Sequence, residues 1–432
     1  MRPGWPLVAL LGLYPLWWFL GLGALAFVVF AVPMALDLGR RRQLSVPRGF
    51  GFWLLFLAWT AASVLMFPLS PPDTLAGSGA GRAFGIALNL ASYLAATTAL
   101  LYVVNLPREE LSQRRLLRLL STLFVVTVAG GLLGVVAPRF QFSAPLEALL
   151  PHGVRTNDYT QALVHPAAAQ IQNLLGGERG RPAAPFGYAN FWGNNFAILL
   201  PWWIVFMSAG RSRMRKAVAL TVCAAAVVPV LYSLDRALWV ALLLAAAYGL
   251  VRTLHLPSRT RALYVGSAIL AACVLVLTPA RTLVATRASV TEGASNGIRA
   301  FLTRAAVDGA AHSPVVGYGG TRKTLGSNQS IAIGPTPSCP LCGEFGIGSN
   351  GQLWLVLFAQ GFVGAALYVL FFLSTLRQFA LDRRPVAVAG SLVILLTLFF
   401  MFFYNALPAA LVLTMIGIGA VIRERLPTAD SS

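Results

Sequence analysis

The 432-residue chain reads as an all-α polytopic membrane protein of about 12 transmembrane helices, with both termini cytoplasmic and two long extracytoplasmic loops. Three observations predict this. Hydrophobic residues make up 57% of the chain and charged residues only 11%, with mean hydropathy +0.72, whereas a soluble domain carries about 25% charged residues. The apolar runs are continuous and close to the roughly 20 residues needed to cross about 30 Å of hydrocarbon; barrel strands would alternate over shorter segments. The basic residues collect in the connectors between alternate runs, as orientation signals do.

Taken in order, the first block of spans is 1–137. Residues 5–36 contain no charge and are broken by Pro15, Gly21 and Gly23, which suits two short helices in a tight hairpin. Arg40, Arg41, Arg42 and Arg48 follow, then spans at 50–68, 83–105 and 119–137, separated by a Pro/Gly/Ser-rich turn at 70–81 and a basic connector at 107–118. A polar loop occupies 138–185. Spans return over 186–277 (186–207, 217–234, 237–251 and 262–277), a second polar loop fills 278–350, and the final block, 351–432, holds spans at 351–376, 386–404 and 406–422 before a polar tail. Met1-Arg2 leads straight into an apolar stretch with no small-residue cleavage site, so no signal peptide is expected.

With the N-terminus inside, 21 of the 33 Arg and Lys residues fall on the cytoplasmic face and both long loops face outward. The formal charge of +19 is thereby read largely as topology, not as a nucleic-acid surface. Cys223 and Cys273 lie inside apolar runs as filler. The spacing Cys339-Pro-Leu-Cys342 admits a redox pair, half a zinc site or a small disulfide; an oxidising outer compartment favours the disulfide. Four histidines (His152, His165, His255, His312) are too scattered for a metal site.

The spans contain almost no ionisable residue at mid-depth, which argues against an ion-coupled carrier. Chemistry is expected instead at the outer boundary, where Arg139, Arg155, Arg179, Arg181, Arg236, Arg281, Arg287, Arg299 and Arg304 lie on the face that is normally poor in positive charge. Arginine suits bidentate phosphate binding, and several together suggest a diphosphate ligand; a solvated loop surface or lipid-headgroup contacts are the alternatives. Arg236 sits after Asp235 with almost no loop between two spans, which either fixes it toward a ligand or pairs it with a carboxylate. Tyr188, Asn190, Asn194 and Asn195 at the mouth of an apolar helix could bind a sugar, cap the helix or bond to neighbouring helices.

Three segments spanning nearly half the chain resemble the O-antigen ligase and Wzy-type polymerase superfamily of bacterial membrane proteins. They are Phe186-Gly-Tyr-Ala-Asn190 leading into a helix, Ser233-Leu-Asp-Arg236-Ala-Leu-Trp239, and Arg299 followed by Pro314-x-x-Gly317-x-Gly319, Ser349-Asn350 and Gly361-Phe-Val-Gly364. The resemblance implies transfer of a glycan from a polyprenyl (undecaprenyl or decaprenyl) diphosphate carrier to a glycan or lipid acceptor, outside the cytoplasmic membrane and with no cofactor or metal. It maps diphosphate binding onto Arg181 (or Arg179), Arg236 and Arg299, with Tyr188, Asn190, Arg304 and Asn350 as further substrate contacts. The family's ligases place a His before the Asn of the third segment; Ser349 occupies that position here. Serine has no pKa suited to general-base work. Either Glu344, Asp308 or His312 serves, or arginine electrostatics suffices, or the reaction differs. The rival readings are a transporter or flippase of the same lipid class and a non-enzymatic cell-envelope scaffold.

Overall fold

In the computed structural model, the described residues are 4–71, 74, 79–150, 161, 164–174, 177–210, 212–253, 292–324 and 345–426. The protein is mostly helical. Among the described residues, four helices are long and apolar enough to cross a membrane: Gly81–Asn105, Gln113–Val136, Arg213–Tyr232 and Gln352–Phe379.

The N-terminal apolar stretch departs from the expected two-helix hairpin. It forms α1 (Trp5–Gly12), α2 (Tyr14–Phe19), α3 (Ala26–Val29) and α4 (Ala31–Gly39), each too short to span hydrocarbon alone. Leu13 leaves helical geometry ahead of Pro15, and Gly21 has a positive φ of 80°, so the chain turns where a longer helix would have to continue. The following helices fall where the apolar runs predict them: α5 (Phe50–Ser63), α6 (Gly79–Asn105) and α7 (Gln113–Val136). Within the first polar loop come a short α8 (Pro145–Leu149) and an antiparallel hairpin of β1 (Ala169–Leu174) and β2 (Gly177–Pro182), with Gln170 opposite Arg181. This strand pair departs from the expected all-helical class. Then follow α9 (Ala189–Ser208), α10 (Arg213–Tyr232) and α11 (Arg236–Thr253). In the second polar loop, α12 (Glu292–His312) is a 21-residue helix. The chain closes with α13 (Gln352–Phe379), α14 (Pro385–Phe400) and α15 (Ala409–Arg425). The expected span at 262–277 lies outside the described residues.

Association of such helices depends on close packing and internal hydrogen bonds, because lipid tails are as apolar as leucine. Small residues supply the approach: Gly419 of α15 faces Val103 and Leu100 of α6, and Gly130, Gly131 and Gly134 of α7 lie against Ala184, Trp192 and Ala168. Trp53 and Phe56 of α5, Tyr93 of α6 and Tyr368 and Phe371 of α13 form a buried ring cluster. The Gln352 amide ties three elements together. It donates to the Tyr93 hydroxyl (2.8 Å) and accepts from the Ala406 N–H (3.0 Å), while its own N–H donates to the Tyr404 carbonyl (2.9 Å).

The helix α13 is interrupted at Gly361 (φ 68°, ψ −172°), a conformation that side-chain-bearing residues rarely adopt. The break frees carbonyls, and the loop after α12 takes them. The N–H groups of Tyr318 and Gly319 donate to the carbonyls of Phe358 (3.1 Å) and Ala359 (2.8 Å), and the Trp59 indole donates to those of Val315 (2.8 Å) and Gln360 (3.2 Å). Gly317 is where the two backbones meet; a Cβ there would lie 2.5 Å from the Ala359 carbonyl carbon. The recurrent glycines of Pro314-x-x-Gly317-x-Gly319 and Gly361 are thus one joint.

At the opposite end of α13, Asp382 accepts from Arg384 (2.6 Å) and Arg425 (2.8 Å). Burial would raise its pKa, but these hydrogen bonds and the Arg384 charge hold it well below the usual carboxylate range. A depressed carboxylate contributes stability that is complete above the ordinary value of about 3.9 and is lost as pH falls through the folded-state pKa. Asp382→Asn should therefore lower thermal stability at neutral pH, by about 1 kcal/mol for so exposed a network, with the difference from wild type closing in acid. Gly361→Ala should cost about 1–3 kcal/mol in backbone strain, and more because the new Cβ would sit 2.6 Å from the Pro314 carbonyl oxygen; thermal melts in detergent check both.

Candidate functional site

The site is built on the turn between α10 and α11. Ser233, Leu234 and Asp235 reverse the chain, with Leu234 at φ 50°, an uncommon conformation for a leucine. The Ser233 hydroxyl donates to the Val230 carbonyl (2.7 Å) and accepts from the Asp235 N–H (3.3 Å). Asp235 then caps α11, its Oδ1 accepting from the Leu238 N–H at 3.0 Å. The same oxygen accepts a short hydrogen bond from the Tyr404 hydroxyl. Tyr404 projects from the connection between α14 and α15, which Gln352 holds in place.

Two arginines from separate segments act on this carboxylate through their charge. Arg181 ends the hairpin; it is 7% exposed, with Nε donating to the Ser233 carbonyl (2.6 Å) and Nη2 to Asn190 Oδ1 (3.1 Å). Arg299 of α12 donates through Nη1 toward the Phe403 carbonyl at 3.4 Å. Asn350 anchors that helix, donating to Thr303 Oγ1 (2.8 Å) and the Arg299 carbonyl (3.3 Å). Burial lowers the pKa of Arg181, and Asp235 and Tyr404 oppose that fall. Burial raises that of Asp235, against hydrogen bonds from Tyr404 and Leu238 and the charges of Arg181 and Arg299. One buried carboxylate thus stands in the field of two guanidinium groups.

A cleft adjoins the cluster. Tyr14, Phe186, Tyr188 and Phe191 line it with Leu407 and Pro408, and Asn195 and Asn405 supply its amides. Asn195 is 1% exposed, donates to the Phe191 carbonyl (2.8 Å) and leaves its Oδ1 without a hydrogen-bond partner.

Of the residues singled out from the sequence, Arg181, Asn190, Arg299 and Asn350 converge here. Tyr188 lies on the cleft rim and is 37% exposed. Arg236 is exposed as the first residue of α11, and Arg304 is exposed on α12. Ser349 is exposed, its N–H donating to the Gly346 carbonyl (3.1 Å). Arg179 sits on β2 opposite Gln172. Glu344, Cys339 and Cys342 lie outside the described residues, as do His152 and His255. His165 bonds Glu147 (2.8 Å) within the first polar loop and is explained by that pair. Asp308 and His312 are poor candidates for a base at Arg299: nine and thirteen residues further along one helix, they stand about 14 and 20 Å away at 1.5 Å per residue.

Sequence reasoning missed Tyr404, which it placed as the last residue of a span, and gave Asp235 only the part of an ion-pair partner. A serine three residues before the helix and an aspartate directly before it were a readable cap signal. The Tyr404 contact joins residues 169 positions apart and left no local trace.

Comparison of the chain with family models, with curated proteins and with solved structures returned no match.

Lysine cannot serve the two acceptors that the Arg181 guanidinium serves through different nitrogens. Arg181→Lys should therefore destabilise the protein by about 1–3 kcal/mol, the cost of leaving buried acceptors unpaired, read as a lower melting temperature with the fold retained by circular dichroism. Tyr404→Phe should cost a similar amount, since it strips a donor from a carboxylate that is 1% exposed.

Proposed function

We propose that the protein is a membrane glycosyltransferase that transfers or polymerises a glycan from a polyprenyl diphosphate carrier onto a glycan or lipid acceptor at the extracytoplasmic face of the cytoplasmic membrane. The observation that carries this reading is the convergence of Arg181 and Arg299, from separate polar segments, on one end of a helical bundle beside an aromatic and amide-lined cleft. An amphiphile with a diphosphate head fits such a pair of neighbouring surfaces.

In this mechanism the acceptor hydroxyl attacks the anomeric carbon, and the bond from that carbon to the diphosphate oxygen breaks. The leaving polyprenyl diphosphate gains one negative charge, which the two guanidinium groups stabilise as it develops. Asp235 is a positioning residue. Its Oδ2 is directed at α9, where a Cβ on Gly193 would lie 2.6 Å from it, and its Oδ1 is engaged by Tyr404 and Leu238. The hydroxyl proton passes to a diphosphate oxygen, with Glu344 as the alternative acceptor; Glu344→Gln separates the two.

The test uses the purified full chain in nanodiscs, a polyprenyl diphosphate-linked oligosaccharide and a panel of acceptors, with free polyprenyl diphosphate as readout. Acceptor-dependent release should fall about 10²–10³-fold in Arg299→Ala, the range for removing one transition-state donor, with donor binding less affected. Donor binding without release under any acceptor would overturn the enzyme reading in favour of transport or a scaffold. The product separates the two transfer reactions, a lipid-linked chain lengthened by repeats for a polymerase and a glycan moved to a different lipid for a ligase.

A further inference from the structure

A second group of arginines lies where α5 ends and α6 begins. Arg322 is 2% exposed, although it follows the loop that clasps the α13 break. Its Nη1 donates to the carbonyls of Gly320 (3.1 Å) and Thr321 (3.0 Å). Its Nη2 donates to those of Tyr318 (3.0 Å), Leu69 (3.2 Å) and Phe67 (3.3 Å). Its Nε is buried without a partner. Arg82, in the first turns of α6, lies over the Phe67 ring at 4.8 Å, and its Nε and Nη1 are likewise buried without a hydrogen-bond partner. Burial and the Arg82 charge push the pKa of Arg322 down to about 10.

Among the described residues no carboxylate forms an ion pair with either arginine, and the only other titratable group acting on Arg322 is Tyr318. Two like charges and three orphaned N–H groups therefore share one place. Neutral carbonyls satisfy hydrogen bonds but cancel no charge, and an orphaned buried donor is costly. None of the hydrogen-bond partners of Arg322 is shared with Arg181 or Arg299. Leu65 and Leu69 flank Phe67 in the chain and Phe84 follows Arg82 by two residues; they are 77%, 50% and 51% exposed, an apolar stretch on the same two chain segments as the uncompensated positive charge.

We infer that Arg82 and Arg322 form a binding site for the phosphate of an anionic membrane phospholipid, with its acyl chains along Leu65, Leu69 and Phe84. Arg322 is held by backbone and shapes the site; Arg82, held by one ring contact, is the side that meets the headgroup. The occupant is a bilayer lipid, and the assignment does not depend on the glycosyltransferase reading.

The experiment follows the melting temperature of the full chain in neutral detergent during titration with phosphatidylglycerol, with phosphatidylcholine and with inorganic phosphate. Phosphatidylglycerol should stabilise the wild type saturably, phosphatidylcholine and free phosphate far less. Arg82→Ala and Arg82→Gln should each weaken that response roughly 10- to 100-fold in apparent affinity, as loss of a charge-assisted contact does. The ligand dependence is the readout, so a lower starting stability in either variant does not blur it. An unchanged response in both variants overturns the site. An equal response to free phosphate overturns the lipid assignment. Asp73, the nearest acidic residue to Arg82 in sequence, supplies the last arm: a wild type indifferent to phosphatidylglycerol and an Asp73→Asn variant that responds would mean the counter-charge is internal, and would overturn the proposal.

Discussion

The buried carboxylate of Asp235 is the constraint on which this end of the molecule depends. A charge that is 1% exposed persists only with hydrogen bonds and opposite charge around it, and here these come from four separate segments. Leu238 supplies a backbone N–H, Tyr404 a hydroxyl, and Arg181 and Arg299 the field. Surrounding one carboxylate, whose Oδ1 takes both hydrogen bonds while Oδ2 has no hydrogen-bond partner, brings the hairpin, the turn before α11, the connection after α14 and α12 to one place. The aromatic and amide-lined cleft follows, because the chain segments beside Arg181 and Tyr404 are the ones that wall it.

The same rule, that backbone polar groups away from water need partners, explains the joint at Gly361. A continuous α13 would leave the loop after α12 nothing to bond. An interrupted one exposes carbonyls that only a closely approaching backbone can reach, and Gly317 permits that approach. The joint orders the segment leading from α12 to Arg322. Through the N–H of Ile347, which donates to the Arg322 carbonyl at 2.8 Å, it also supports the approach to Asn350. Arg299 and Asn350 are thus placed by a defect in a helix whose first turn lies beside them.

The two ends of the bundle handle positive charge differently. At the end carrying Asp382, Arg384 and Arg425 meet that carboxylate, and Arg108 meets the helix-terminal carbonyls of Arg423 and Leu426. At the end carrying Asp235, the buried arginines meet mainly backbone carbonyls, Arg181 that of Ser233 and Arg322 those of Tyr318 and Gly320. Excess charge held by rigid backbone is suited to ligands that bring their own negative charge, and both proposed sites draw on that property.

What the sequence determined by itself was local or periodic. Apolar runs of fixed length placed α5 to α7, α9 to α11 and α13 to α15, because a run of that length has few ways to satisfy its backbone besides a helix. Arginine in polar segments between those runs marked Arg181 and Arg299, Asn190 stood out as an amide at a helix mouth, and Asn350 was marked only by the family resemblance. The hairpin at 169–182, the division of 5–36 into four short helices and the helix at 292–312 depended on what each segment packs against, which no window of sequence contains. Tertiary structure alone decided that Tyr404 meets Asp235, that Arg322 is buried beside Arg82, and that Arg236 and Arg304 are exposed. Each of these joins or separates residues far apart in the chain, and hydrogen bonding at such separations leaves no periodicity to read.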